Sequence, residues 1–251
     1  MTKIKVLNLY AGIGGNRKLW PNDKIEVTAV ENNENIAKIY QDFFPNDKVI
    51  IADAHQFLLE HYKEFDFIWS SPPCPSHSGV NFFLNAQGVI RYPDMSLWQE
   101  IIFLNYFCKT KFVVENVESY YKPFIKCFNI DRHYFWSNFD ISIWFDKDKK
   151  KSKISILNTR ASTRRTSQEV IKTLQEFHGF NLDKYQIKDK RKLLANCVKP
   201  ELGNHIFKCA FKEQQPNFSL AYALKVQNEI TKPFFDIMLK CYKKGKRNEM
   251  Q

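Results

Sequence analysis

Apolar residues along this chain come in short, nearly unbroken runs that stop at small or acidic residues, the pattern of strands buried on both faces of a parallel sheet. Residues 5–10 (KVLNLY) predict a first strand, followed by the turn Ala11-Gly12-Ile13-Gly14-Gly15 and by residues 16–20, where a helix can start. Residues 26–30 predict a second strand ending at Glu31, and residues 48–52 a third ending at Asp53, ahead of a helix that begins near Ala54. The fourth run, FDFIW at 65–69, breaks off in Ser70-Ser71-Pro72-Pro73 and delivers Cys74 to a loop. Adjacent prolines lack N–H donors and fix φ, so no ladder continues through them. Residues 81–91 read as a mobile, glycine-containing loop, 96–108 as an amphipathic helix, and 111–114 as a fifth strand running into Glu115-Asn116-Val117. The aromatic clusters Phe82-Phe83 and Tyr134-Phe135-Trp136 read as core or loop packing rather than base-stacking platforms.

Alternation of strands with helical stretches predicts an α/β fold, a doubly wound and mostly parallel Rossmann-like sheet. A chain of 251 residues, 44% hydrophobic, holds one large domain of this kind with a modest appendage. Nothing approaches the run of roughly 18 apolar residues that spans a membrane, and MTKIKVLNLY lacks the layout of a signal peptide, so a cytoplasmic protein with no membrane partner is expected. The cysteines at 74, 108, 127, 197, 209 and 241 form no close pair of the zinc-binding kind, so reduced thiols and no metal are expected. Residues 1–130 carry 13 Lys and Arg against 14 Asp and Glu, whereas residues 131–251 carry 25 against 13, so the basic excess lies in the second half. Such a field suits a polyanion; a lysine-rich soluble surface is the plain alternative.

The chemistry sits at the strand ends. A glycine turn allows close backbone approach to a ligand, and an acidic residue about 20 positions on suits a ribose diol. Asp53 either accepts from an adenine amino group or caps the helix that follows it. With no P-loop lysine, this set favours an adenosine-bearing cofactor. A cysteine and a glutamate at the ends of neighbouring strands turn the choice toward S-adenosylmethionine. As a lone feature, Cys74 would read as a small structural residue in a proline turn.

Together these residues resemble the cytosine-C5 DNA methyltransferases. The turn Ala11 to Gly15, Glu31, Asp53, Pro73-Cys74 and Glu115-Asn116-Val117 look like that family's ordered motifs. Arg132 looks like the second arginine of its Gln-x-Arg-x-Arg motif, residues 164–180 look like the helix and Gly-Phe segment before the last motif, and Ala195-Asn196-Cys197-Val198-Lys199-Pro200 looks like its Gly-Asn-x-Val-x-Pro. The resemblance runs over residues 4–206. Departures are Asn8 for the usual Asp, Tyr10 for Phe, Pro75 for Gln, Ala195 for Gly, and Asp131 and His133 around Arg132.

The resemblance implies Cys74, Glu115, Asn116 and Arg132 as catalytic residues. It implies Tyr10, Ala11, Gly12, Gly14, Gly15, Glu31, Asn32, Asp53, Ala54, Pro73, Asn196 and Val198 around S-adenosylmethionine. The implied partner is double-stranded DNA with its cytosine flipped out, with a cognate restriction endonuclease as a further partner. A tRNA cytosine methyltransferase and a silent nucleic-acid-binding subunit are the alternatives; an amino-group methyltransferase would carry an aromatic residue where Cys74 stands. The expected division is a catalytic domain over 1–138, a minimal recognition region over 139–190, and a return to the catalytic domain over 191–251 with a C-terminal helical extension at 221–242 and a basic tail. Residues 139–163 offer only a hairpin around the lysine run 147–153. That predicts a short or relaxed target, about two to four base pairs, bound through salt-sensitive phosphate contacts.

Overall fold

The computed structural model describes residues 2–142 and 167–211. The expected hairpin with its lysine run, and the C-terminal helix and tail, lie outside the described residues. Seven strands form one sheet: β1 (Ile4–Leu9), β2 (Ile25–Val30), β3 (Lys48–Ile50), β4 (Phe67–Ser70), β5 (Lys111–Val117), β6 (Phe128–Ile130) and β7 (His133–Ser137). Their spatial order is β3-β2-β1-β4-β5-β7-β6, parallel except that β7 runs antiparallel to both β5 and β6. The chain winds outward through β2 and β3 on one side of β1, then through β4 and β5 on the other. Such a reversal opens a crevice at the carboxyl ends of the central strands.

The apolar runs are continuous because both sheet faces are covered. Val6, Val27, Phe67, Trp69, Val113 and Phe135 pack on one face against Trp20 and against Leu202, Ile206 and Phe207 of the last described helix, α7 (Pro200–Ala210). Leu7, Leu9, Ile68, Phe112, Val114 and Trp136 face the other way. They meet α2 (Ala54–His61) through Leu58 and α4 (Ser96–Phe107) through Leu97, Trp98, Ile101 and Leu104. Each such side chain, withdrawn from water, contributes roughly 1.5–3 kcal/mol. A third cluster joins Ile13 and Ile39 of α1 (Glu34–Phe43) to Val170 and Leu174 of α5 (Ser167–His178), to Phe180 and Leu182, and to Leu194 of α6 (Lys190–Ala195). Residues 167–190, the later part of the expected recognition region, therefore pack on the catalytic unit beside the glycine turn.

Local structure departs from the sequence reading in three places. Residues 16–20 form turns rather than a helix. Arg17 is buried, where it gives two 2.9 Å hydrogen bonds to Asp47, and Trp20 donates from Nε1 to the Gly203 carbonyl at 3.2 Å, so tertiary contacts claim the segment before a helix can run. The segment read as a mobile loop carries a helix, α3 (Val80–Ala86). Residues 115–117 extend β5 instead of leaving it, because β7 supplies ladder partners along their whole length. Among the described residues no helix is long and apolar enough to cross a membrane.

Candidate active site

A cavity of about 570 Å³ opens at the crevice. Its lining includes Tyr10, Ala11, Gly12, Gly15, Glu31, Pro73, Cys74, Glu115, Asn116, Arg132, Asn196 and Val198, residues separated by up to 188 positions in sequence but gathered by the sheet. Gly14, Asn32, Asp53 and Ala54 are not in the lining. Gly14, at φ +80°, lets the turn lie against Tyr40 and Phe44, where an added Cβ would collide. Asp53 accepts from the Gln56 amide at 2.8 Å through one oxygen and so caps α2.

At the glycine end, Gly12 donates its amide to one oxygen of Glu31 at 3.0 Å while Asn33 donates to the other at 3.0 Å. The carboxylate is thereby fixed at the tip of β2 with lone pairs to spare. A Cβ on Gly12 would meet nothing within 4 Å, whereas one on Gly15 would lie 2.7 Å from the Val198 carbonyl oxygen. The turn is thus open toward the cavity and closed against the segment 196–198. Beneath it, Asn16 donates to the Asn8 oxygen at 2.8 Å, while the Asn8 Nδ2 is buried without a partner in the described structure. Tyr10, at φ +53°, turns its hydroxyl to the buried Glu100 at 3.1 Å. Glu100 also bonds His55 at 3.1 Å and receives the Ser70 hydroxyl. Burial, then the Glu100 charge, holds the Tyr10 phenol far above its ordinary pKa, and the hydroxyl that phenylalanine would lack is spent on this hydrogen bond. An open glycine turn, a fixed carboxylate and a cavity within the 300–1,000 Å³ typical of small-molecule sites fit an adenosine cofactor.

At the other end, Asn116 donates to the Pro72 carbonyl at 3.0 Å, tying β5 to the loop that carries Cys74. The Cys74 carbonyl accepts from His77 and Ser78 at 3.0 Å each, so the chain turns back directly after the thiol. Burial, then the charge of Glu115, raises the Cys74 pKa. The opposing, lowering influences are a backbone hydrogen bond and the charge of Lys192. Burial lifts Glu115 to about 7, against a hydrogen bond with Ser71. His133 is brought down to about 4 by burial, then by Arg132 and His178. His178 falls to about 4 for the same first cause, followed by Arg132, Lys18 and Lys199. Of these groups Cys74, Glu115 and His133 line the cavity, and Glu115 is the one brought close to neutral pH.

Sequence reasoning missed His133, His178 and Lys192, none of which carries a local signal. Of the two aromatic clusters, one lies in the core and the other outside it. Phe135 and Trp136 are buried as expected, but Phe82 and Phe83 are 64% and 68% exposed on α3, a few residues from Cys74.

Residues 4–130 match the family described as C-5 cytosine-specific DNA methylase. Comparison with curated proteins gives no match. Among solved structures, a DNMT2 variant from Spodoptera frugiperda gives a TM-score of 0.51 at 15% identity, over 84% of this chain and 100% of that one. The methyltransferase EhMeth of Entamoeba histolytica gives 0.48 at 14% identity, over 84% of this chain and 98% of that one. At such identities the likeness bears on fold alone.

Proposed function

Because this chain belongs to the C-5 cytosine-specific DNA methylase family, with S-adenosylmethionine as methyl donor and a nucleic acid as acceptor, we propose that it methylates carbon 5 of a flipped cytosine in DNA through a covalent Cys74 adduct. The observation that carries the reading is the shared cavity: Cys74 and Glu115 line one end and Gly12 and Glu31 the other.

Carbon 5 of cytosine is a weak nucleophile. Addition of the Cys74 thiolate at carbon 6 forms a C–S bond and pushes the ring electrons to carbon 5, which then acts as an enamine. Bound S-adenosylmethionine supplies an electrophilic methyl group to that carbon. Loss of the carbon 5 proton to a base then returns the electrons, breaks the C–S bond and frees the thiolate. Within this scheme Glu31, the Gly12 backbone and Asn196 hold the cofactor, and Asn116 holds the nucleophile's loop. Glu115, with its pKa at about 7, keeps a proton to share with N3 of the base. Since the Glu115 charge is one of the two influences raising Cys74, a neutral Glu115 also eases ionisation of the thiol. The two groups are prepared for one another.

The test is incubation with random DNA and, separately, with tRNA, followed by base-resolution cytosine mapping. Methylation of DNA at carbon 5, an adduct trapped by 5-fluorocytosine DNA, and loss of both in Cys74→Ala are expected. Methylation confined to tRNA would move the substrate to the alternative, and carbon 5 methylation by Cys74→Ala would end the covalent scheme.

A further inference from the structure

Glu115 and the residue that faces it are set by strand register, and the register does not favour Arg132. Side chains alternate along a strand, so Glu115 and Val117 of β5 share one face. Antiparallel pairing places Phe135 beside Glu115 and His133 beside Val117, which puts His133 on that same face. Arg132 lies in the turn between β6 and β7, is exposed, and reaches the cavity at its rim. His133 is buried, and its Nε2 stands 3.7 Å from the Glu115 Oε1, a gap that a small rotation of either side chain closes.

The tautomer follows from hydrogen-bond accounting. The Nδ1 of His133 is buried with no partner in the described structure. A proton there would leave a donor orphaned and turn the Nε2 lone pair toward a carboxylate oxygen. A proton on Nε2 instead aims a donor at Glu115 and leaves only an acceptor unpaired. Burial first, then the charge of Arg132, keeps the ring neutral. We propose that His133, not Arg132, is the positioning residue that orients Glu115 toward the base, by donating from Nε2. This rests on the reading of Glu115 as the group that meets the cytosine ring.

The experiment compares the full chain with His133→Gln, His133→Asn and His133→Leu. A glutamine amide nitrogen falls near the place of Nε2, whereas an asparagine nitrogen falls near Nδ1 and is too short to reach. The first readout needs no substrate: the Glu115 side-chain carbon, assigned with Glu115→Gln, is titrated by NMR. The other titratable or charged groups facing the pair are Cys74 from the β4 loop, Glu118 at the end of β5, Arg132 and His178. Losing a donor to the ionised carboxylate raises its midpoint, by about one unit for Leu and Asn, while Gln leaves it in place. The second readout is methyl transfer, where Leu and Asn lower kcat about 100-fold, Gln restores it, and KM for S-adenosylmethionine is unchanged. Equal midpoints in all variants, or Asn behaving like Gln, overturn the proposal. A wild-type protein that methylates no cytosine while its midpoints shift as expected overturns the reading of the site and leaves the contact standing.

Discussion

The two ends of the cavity are built on opposite terms. At the glycine end the acidic groups are satisfied: Glu31 accepts from two backbone amides, and behind the turn Asp47 accepts from Arg17 and Tyr40. At the thiol end burial shifts the titrating groups: Cys74 and Glu115 are pushed up and His133 down, and His133 leaves Nδ1 without a partner. A binding surface gains from fixed, satisfied donors and acceptors. A site that moves protons gains from a group whose two protonation states lie close in free energy at neutral pH, and Glu115, at about 7, is such a group.

Breaking the satisfied end should therefore cost stability first. Asp47→Ala strands the buried Arg17 guanidinium and the Tyr40 hydroxyl, and chemical denaturation should report a loss of about 3–5 kcal/mol. A loss under about 1 kcal/mol would mean that water reaches the pair. Next in size, Glu31→Ala removes the acceptor for Gly12 and Asn33, and calorimetry should show S-adenosylmethionine binding weakened by about 1–3 kcal/mol. Asp53→Ala sharpens the contrast. It should lower stability by about 1 kcal/mol through the lost cap of α2 and affect cofactor affinity less than Glu31→Ala; equal losses of affinity would bring Asp53 into the pocket.

A further expected effect is a change of slope with pH, and it belongs to the thiol end. Burial raises Glu115 in the folded protein to about 7, above its unfolded value, so the folded chain keeps a proton that the unfolded chain releases. Wild-type stability is therefore lost on this account as pH climbs from about 4.5 to 7. Glu115→Gln lacks that loss, so its stability relative to wild type should rise through this window and level off above it. His133 and His178 act in the opposite sense, since unfolding allows them to take up protons below about 6.5. A difference between variant and wild type that is flat from pH 4.5 to 7 would show that Glu115 titrates as an exposed acid.

What the sequence determined by itself was the order of parts. Apolar runs fixed the parallel strands, because a strand buried on both faces has almost no other composition open to it. The prolines after β4 fixed where Cys74 leaves the sheet, and the glycines fixed where the chain can turn closely. These are properties of neighbouring residues, so they are legible in one dimension. Tertiary structure decided what faces what. Residues 16–20 turn instead of coiling because Asp47 and Gly203 claim Arg17 and Trp20. The strand Phe128–Ile130 and its partner His133–Ser137 exist because β5 offers them an edge, and their register, not the arginine in the sequence, selects the side chain beside Glu115. A shift of one residue exchanges the faces of a strand. Arg132 and His133 are adjacent in sequence and both line the cavity, and only the pairing of β7 with β5 determines which of them faces Glu115.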